Sequence, residues 1–141
     1  MLFGACIRVS TGKLNLDVVP KSEKELAFEA KMQLITTNES MALEIFNLPD
    51  TTSKETMLYE IKERGIYYWN ENLKVIDELE GLDLPTDLKQ RIPKLRDYCN
   101  LRIKHYQFYY SIFEKDEKPA HHQHEMKKFG EELDKLMAQL K

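Results

Sequence analysis

The sequence predicts an all-α fold, an elongated antiparallel bundle of three long helices plus a C-terminal fourth helix. Three observations carry that prediction. Apolar residues recur at spacings of three and four in three long stretches. The first runs through Leu58, Ile61, Tyr68, Trp69, Leu73, Ile76 and Leu79. The second runs through Leu88, Ile92, Leu95, Cys99, Ile103, Tyr106, Tyr110 and Phe113. The third runs through Met126, Phe129, Leu133, Leu136 and Leu140. Such spacing gathers each set on one helical face, which must find another element to bury it. With only five Gly and five Pro in 141 residues, the chain suits helices better than a turn-rich β fold. The connections between stripes are short, so consecutive helices are expected to be antiparallel neighbours.

Length and composition fit one globular domain: 42% hydrophobic and 32% charged residues are too apolar for a disordered chain. Residues 1–20 read as an N-terminal tail and 21–141 as the bundle domain. Within the tail, Met1–Ile7 (MLFGACI) is apolar and is followed by polar Arg8–Lys13. It reads either as a tail or strand tucked onto the bundle, or as the end of a membrane segment. Leu2–Cys6 also loosely resembles the end of a bacterial lipoprotein signal. No stretch approaches the ~18 apolar residues of a membrane span.

The first helix is expected to start at Ser22, where Ser22 and Glu25 form a capping box after Pro20. Its predicted stripe is Ala27, Leu34, Met41 and Leu48, widened by Ala30 and Ile45. Thr36–Thr37–Asn38 is poor helix sequence and is expected to kink or split it. Leu48–Pro49 ends it, because the residue before proline is driven out of the α region. Thr52 with Glu55 is the expected cap of the second helix, which runs to Glu80 and stops at Gly81. Gly65 in its interior costs about 1 kcal/mol against alanine, so a tight crossing with the first or third helix is expected there. The third helix follows Leu84–Pro85, and Pro93 should kink it or mark a restart. Asp116–Pro119 breaks the chain before the last helix, expected over residues 120–140. Residues 55–80 carry seven acidic and three basic side chains, whereas 88–104 carry six basic and one acidic. That contrast favours packing the second helix against the third.

No catalytic signature interrupts these helices. Carboxylate pairs such as Glu60 and Glu63 have Lys and Arg beside them, unlike the buried acids of a hydrolase. The five glycines are scattered and form no phosphate-cradling loop. His105 sits beside the third helix's stripe with no motif tying it to a nucleophile. A net charge of −3 argues against nucleic acid as a partner. His121, His122, His124 and Glu125 have spacing that can hold a metal on one helix, with His121, His124 and Glu125 as the candidate ligands. No other His or Cys is placed to complete such a site, so neither metal nor cofactor is expected. A pH-sensitive helix start is the favoured reading of this cluster, since protonated histidine opposes the positive end of a helix dipole. Cys99 reads as a small core residue, and the two cysteines leave the redox compartment open. Consecutive aromatics cannot all face one core. Tyr67, Tyr68, Tyr109 and Tyr110 are therefore the candidate surface for a protein or peptide partner, with Trp69 and Tyr106 structural.

One stretch is distinctive as sequence: Leu58–Asn72 (LYEIKERGIYYWNEN), with Leu82–Pro85 (LDLP) and Tyr98–Lys104 (YCNLRIK). Together with the flanking Leu48–Pro49 they are similar to the soluble C-terminal helical extension of some bacterial rhomboid-type intramembrane serine proteases. The resemblance spans about two thirds of the chain. It lacks the Gly-x-Ser-Gly nucleophile motif and the distant catalytic histidine, so no proteolytic role passes to any residue here. What it implies is an extramembrane accessory domain, membrane-associated through the N-terminus, or a detached relative of one. The expected function is thus a non-catalytic interaction domain that binds a protein or peptide. The alternatives are a free-standing cytoplasmic helical scaffold or adaptor, and a metal-dependent enzyme built on the histidine cluster. Self-association through the narrow seam of the last helix also fits the pattern.

Overall fold

The computed structural model describes residues 21–141, so Cys6 and the readings of Met1–Ile7 lie outside the described residues. Every regular element among the described residues is helical, and the elements form four helices. The first comprises the α-helix Glu23–Leu43 and a 3-10 turn, Glu44–Asn47. The second runs through Lys54–Tyr59, Glu60–Ile66 and Tyr67–Glu80, its middle portion π-helical. A short helix, Thr86–Lys89, leads into the third, Arg91–Glu114. The fourth comprises a 3-10 turn, Pro119–His122, and the α-helix Gln123–Leu140.

Local chemistry explains most boundaries. The Ser22 hydroxyl accepts from the Glu25 N–H, capping the first helix where the sequence places it. Thr36 and Thr37 do not split this helix, which is continuous over Glu23–Leu43; their hydroxyls donate back to the carbonyls of Met32 and Gln33 at 3.0 Å. The second helix is capped one residue later than expected. Ser53 accepts from the Thr56 N–H, while the Thr52 hydroxyl donates to the Pro49 carbonyl. Pro93 marks a restart and not a kink. It is the third residue of the helix beginning at Arg91, where an amide N–H has no intrahelical acceptor to lose. Asp116, with φ of 58°, turns the chain out of the third helix.

Packing is antiparallel in sequence order. Lys24 and Lys31 of the first helix pair with Asp83 and Glu78 near the end of the second, both at 2.5 Å. Arg96 of the third helix bridges Asp77 and Glu80 of the second at 2.7 Å, and Lys54 meets Asp116 at the opposite end. The Arg96 bridges realise the charge contrast between the second and third helices. The fourth helix packs chiefly on the third.

The first helix buries a face that only partly matches the predicted one: Ile45 is enclosed as expected and Ala27, Met41 and Leu48 are half-buried. Phe28, Met32, Ile35, Asn38, Glu39 and Ala42 are enclosed, whereas Leu34 is 47% exposed and Ala30 lies in solvent. Glu39 and Asn38 interrupt the true apolar face and hide it from a hydropathy reading. Glu39 is buried because Tyr98 donates a hydrogen bond to its carboxylate at 3.1 Å. Arg102 in turn donates to the Tyr98 oxygen at 3.0 Å and lies over the Trp69 and Tyr98 rings. The third helix also buries more than one stripe: Tyr98, His105 and Ile112 are enclosed besides Ile92, Leu95, Cys99 and Tyr106. It touches all three other helices, so a single predicted face was too narrow.

Gly65 sits at a tight crossing. A Cβ there would fall 2.4 Å from Cε2 of Tyr106 and 3.6 Å from a methyl of Ile45. The Tyr106 hydroxyl donates to the Ala42 carbonyl at 2.8 Å, locking the ring between first and second helices. The π-helical turns around Gly65 have a sequence correlate. Met57, Ile61, Gly65 and Trp69 are all buried at strict four-residue steps. At 100° per residue such steps would carry the face around by about 120°, and wider i→i+5 turns reduce that drift.

Candidate functional site

Two of the connections, residues 48–53 and 115–118, lie at one end of the bundle. There the first helix finishes in its 3-10 turn, which leaves Phe46 43% exposed on the rim. The Phe46 ring meets Tyr106 and Tyr109 edge-on, each with centroids 5.6 Å apart. Tyr109 meets Phe113 at 5.0 Å one turn further along the third helix. Met57 comes from the first turns of the second helix, Pro49 from the first of these connections and Pro119 from the 3-10 turn that opens the fourth helix. Together they line an open cavity of about 540 Å³.

Its polar groups are few. Asp50, Thr52 and Lys118 lie on the lining. Burial, and secondarily the Asp50 carboxylate, push the Tyr109 phenol above its usual range, which keeps the hydroxyl a donor. The Thr52 hydroxyl is already committed to Pro49. The lining has aromatic walls, proline edges and one acid, a composition suited to holding an apolar side chain or a short extended segment.

Below the rings lies His105, stacked on Phe129 at 5.1 Å and flanked by Phe46, Tyr106 and Tyr109. Neither ring nitrogen has a hydrogen-bond partner among the described residues. Burial, with a smaller contribution from Arg102, lowers its pKa to about 4, so the ring is neutral at pH 7. Cys99 is buried too, its thiol pushed up to about 12 by burial. That suppresses the thiolate and its reactivity.

Of the four tyrosines singled out from sequence, only Tyr109 lines this cavity. Tyr67 is 50% exposed; two residues from buried Trp69, it sits about 160° around a helix of 100° per residue. Its ring meets that of half-buried Tyr68 at 5.1 Å on the second helix. Tyr110 is half-buried against the core. No ring contact joins the Tyr67–Tyr68 pair to Tyr109 or Tyr110 among the described residues. Sequence reasoning missed Phe46 and Asp50. The signal available was an aromatic residue two positions before a Leu-Pro helix stop.

The histidine cluster is spread over the start of the fourth helix. His121 Nδ1 accepts from the Lys118 N–H at 3.2 Å, and His122 pairs with Glu117 and lies 4.0 Å from Glu125. His124 faces a different groove, with Glu125. Among the described residues no three His, Cys, Asp or Glu side chains converge in a metal-holding arrangement. No helix among them is long and apolar enough to cross a membrane. The chain matches no protein-family model, no curated protein and no solved structure.

Proposed function

We propose that this chain is a non-catalytic helical interaction domain that captures a peptide segment of a partner protein at the loop end of the bundle. The observation that carries this reading is the open cavity of about 540 Å³ walled by Phe46, Tyr109 and Phe113. Burying an apolar side chain against such walls supplies the driving force. Asp50 and the Tyr109 hydroxyl supply orientation. The sequence resemblance supports placing the domain beside a membrane, as an extramembrane part of a rhomboid-like protease or a detached relative. A free-standing scaffold is the second reading. It is favoured by the closed packing of the described residues, whose core encloses Trp69, Tyr98 and Leu95 completely.

The test is a selection of phage-displayed random peptides against the purified chain, followed by NMR titration of an enriched peptide. Shifts should concentrate at Phe46, Asp50, Tyr109 and Phe113, and Phe46→Ala should weaken binding at least about tenfold. Shifts centred on Tyr67 and Tyr68 would relocate the surface. Failure to enrich any peptide would count for the scaffold.

A further inference from the structure

The third and fourth helices leave a long groove on the side of the bundle, away from the end cavity. Two cavities of about 420 and 510 Å³ share Leu101, Lys104 and Glu132, so they form one continuous channel. Its floor is apolar: Leu101, Phe108, Phe129 and Leu136 are all only half-buried. Along the outer edge the fourth helix presents Glu125, Lys128, Glu132 and Lys135. Steps of three, four and three residues keep these charges on one stripe.

The order of signs along that stripe is acid, base, acid, base. Read from the opposite direction it becomes base, acid, base, acid, so the stripe complements its own reversed copy. Two antiparallel fourth helices would set Glu125 opposite Lys135 of the second copy, and Lys128 opposite Glu132 of the second copy. A two-fold axis repeats both pairs, because residue i then meets j while j meets i. A parallel arrangement in the same register would set like charges together.

We propose that this groove is a self-association surface, occupied by the fourth helix of a second copy lying antiparallel across a two-fold axis. The apolar floor supplies the burial, and the charges fix direction and register, since single exposed ion pairs contribute little energy. Lys128 and Glu132 are one turn apart and can also pair within a chain. Glu125 and Lys135 cannot: ten residues separate them, about 15 Å along the helix. Within a chain each is instead one turn from another opposite charge, Glu125 from Lys128 and Lys135 from Glu132, so only variants at 125 and 135 taken together read the contact between chains.

Sedimentation equilibrium of the full chain at about 0.1 M salt tests this, with a monomer–dimer equilibrium at micromolar concentrations as the expected result. Lys135→Glu should raise the dissociation constant about tenfold or more. The combined variant Glu125→Lys with Lys135→Glu should bring it back to within about threefold of the original. Circular dichroism melts on dilute samples check that both variants fold. A chain that stays monomeric at several hundred micromolar overturns the proposal. So does a dimer indifferent to Lys135→Glu, or a double variant no better than the single one.

Discussion

The second and fourth helices carry similar apolar stripes and are buried very differently. The second lies between the first and third, and Ile61, Trp69, Asn72, Ile76 and Leu79 are fully enclosed. The fourth leans chiefly on the third and encloses only Leu133 and Leu140. Their glycines follow the same division. Gly65 has Tyr106 pressed against it, whereas a Cβ on Gly130 would meet nothing within 4 Å. Similar stripes therefore end in different burial, because the second helix has neighbours on two sides and the fourth chiefly on one.

The largest effect is expected from Trp69→Ala. Trp69 is completely buried with Tyr98 and Tyr106 edge-on to it, so its loss should cost about 3–5 kcal/mol in a urea melt. A cost near 1 kcal/mol would mean that the inner three helices are looser than their packing implies.

Next in size is a pH effect from His105, where the fourth helix meets the inner core. Its folded pKa of about 4 lies below the ordinary 6.5, so the unfolded chain takes up the proton first. Stability is full above about pH 6.5 and falls as pH drops toward 4, by about 2–3 kcal/mol in all. Glu39 runs the other way: burial raises its pKa, so protonation on acidification relieves a cost. Comparing the native chain with His105→Phe isolates the histidine, and the variant's denaturation midpoint should fall less between pH 7 and 4.5. Identical slopes would rule out a buried neutral ring.

The two glycines give opposite signs. Gly65→Ala should destabilise by about 1–2 kcal/mol, because the clash with a locked Tyr106 outweighs the gain in helix propensity. Gly130→Ala should stabilise, by at most about 1 kcal/mol. A higher melting temperature for Gly65→Ala would remove the tight crossing. The smallest expected effect is that of Tyr67→Ala, within about 0.5 kcal/mol of the native chain, because the ring is half in solvent. Amide exchange should sharpen the same contrast, fastest through Gln123–Leu140 and slowest around Trp69 and Leu95.

The candidate site was only partly legible in the sequence. Tyr109 stands out in the sequence because consecutive aromatics cannot all face one core, and it does line the end cavity. The rest of that cavity is assembled from residues more than fifty positions apart, Pro49 and Pro119 among them, and no local pattern announces such a meeting.

What the sequence determined by itself was the helical class, the chain breaks at Leu48–Pro49 and Asp116–Pro119, the Ser22 cap and the antiparallel order. Each rests on interactions among residues a turn or so apart, or on connections too short to run back along a helix and start a parallel one, so neighbouring chemistry suffices. Tertiary structure alone decided which face of the first helix turned inward. Glu39 is tolerated inside only because Tyr98 meets it from the third helix with Arg102 behind, 59 and 63 positions away in the chain. It decided the π-helical turns as well, where keeping Met57, Ile61, Gly65 and Trp69 against their neighbours outweighs regular hydrogen bonding. Burial is a property of the partner surface, and a stripe read from one helix cannot contain it.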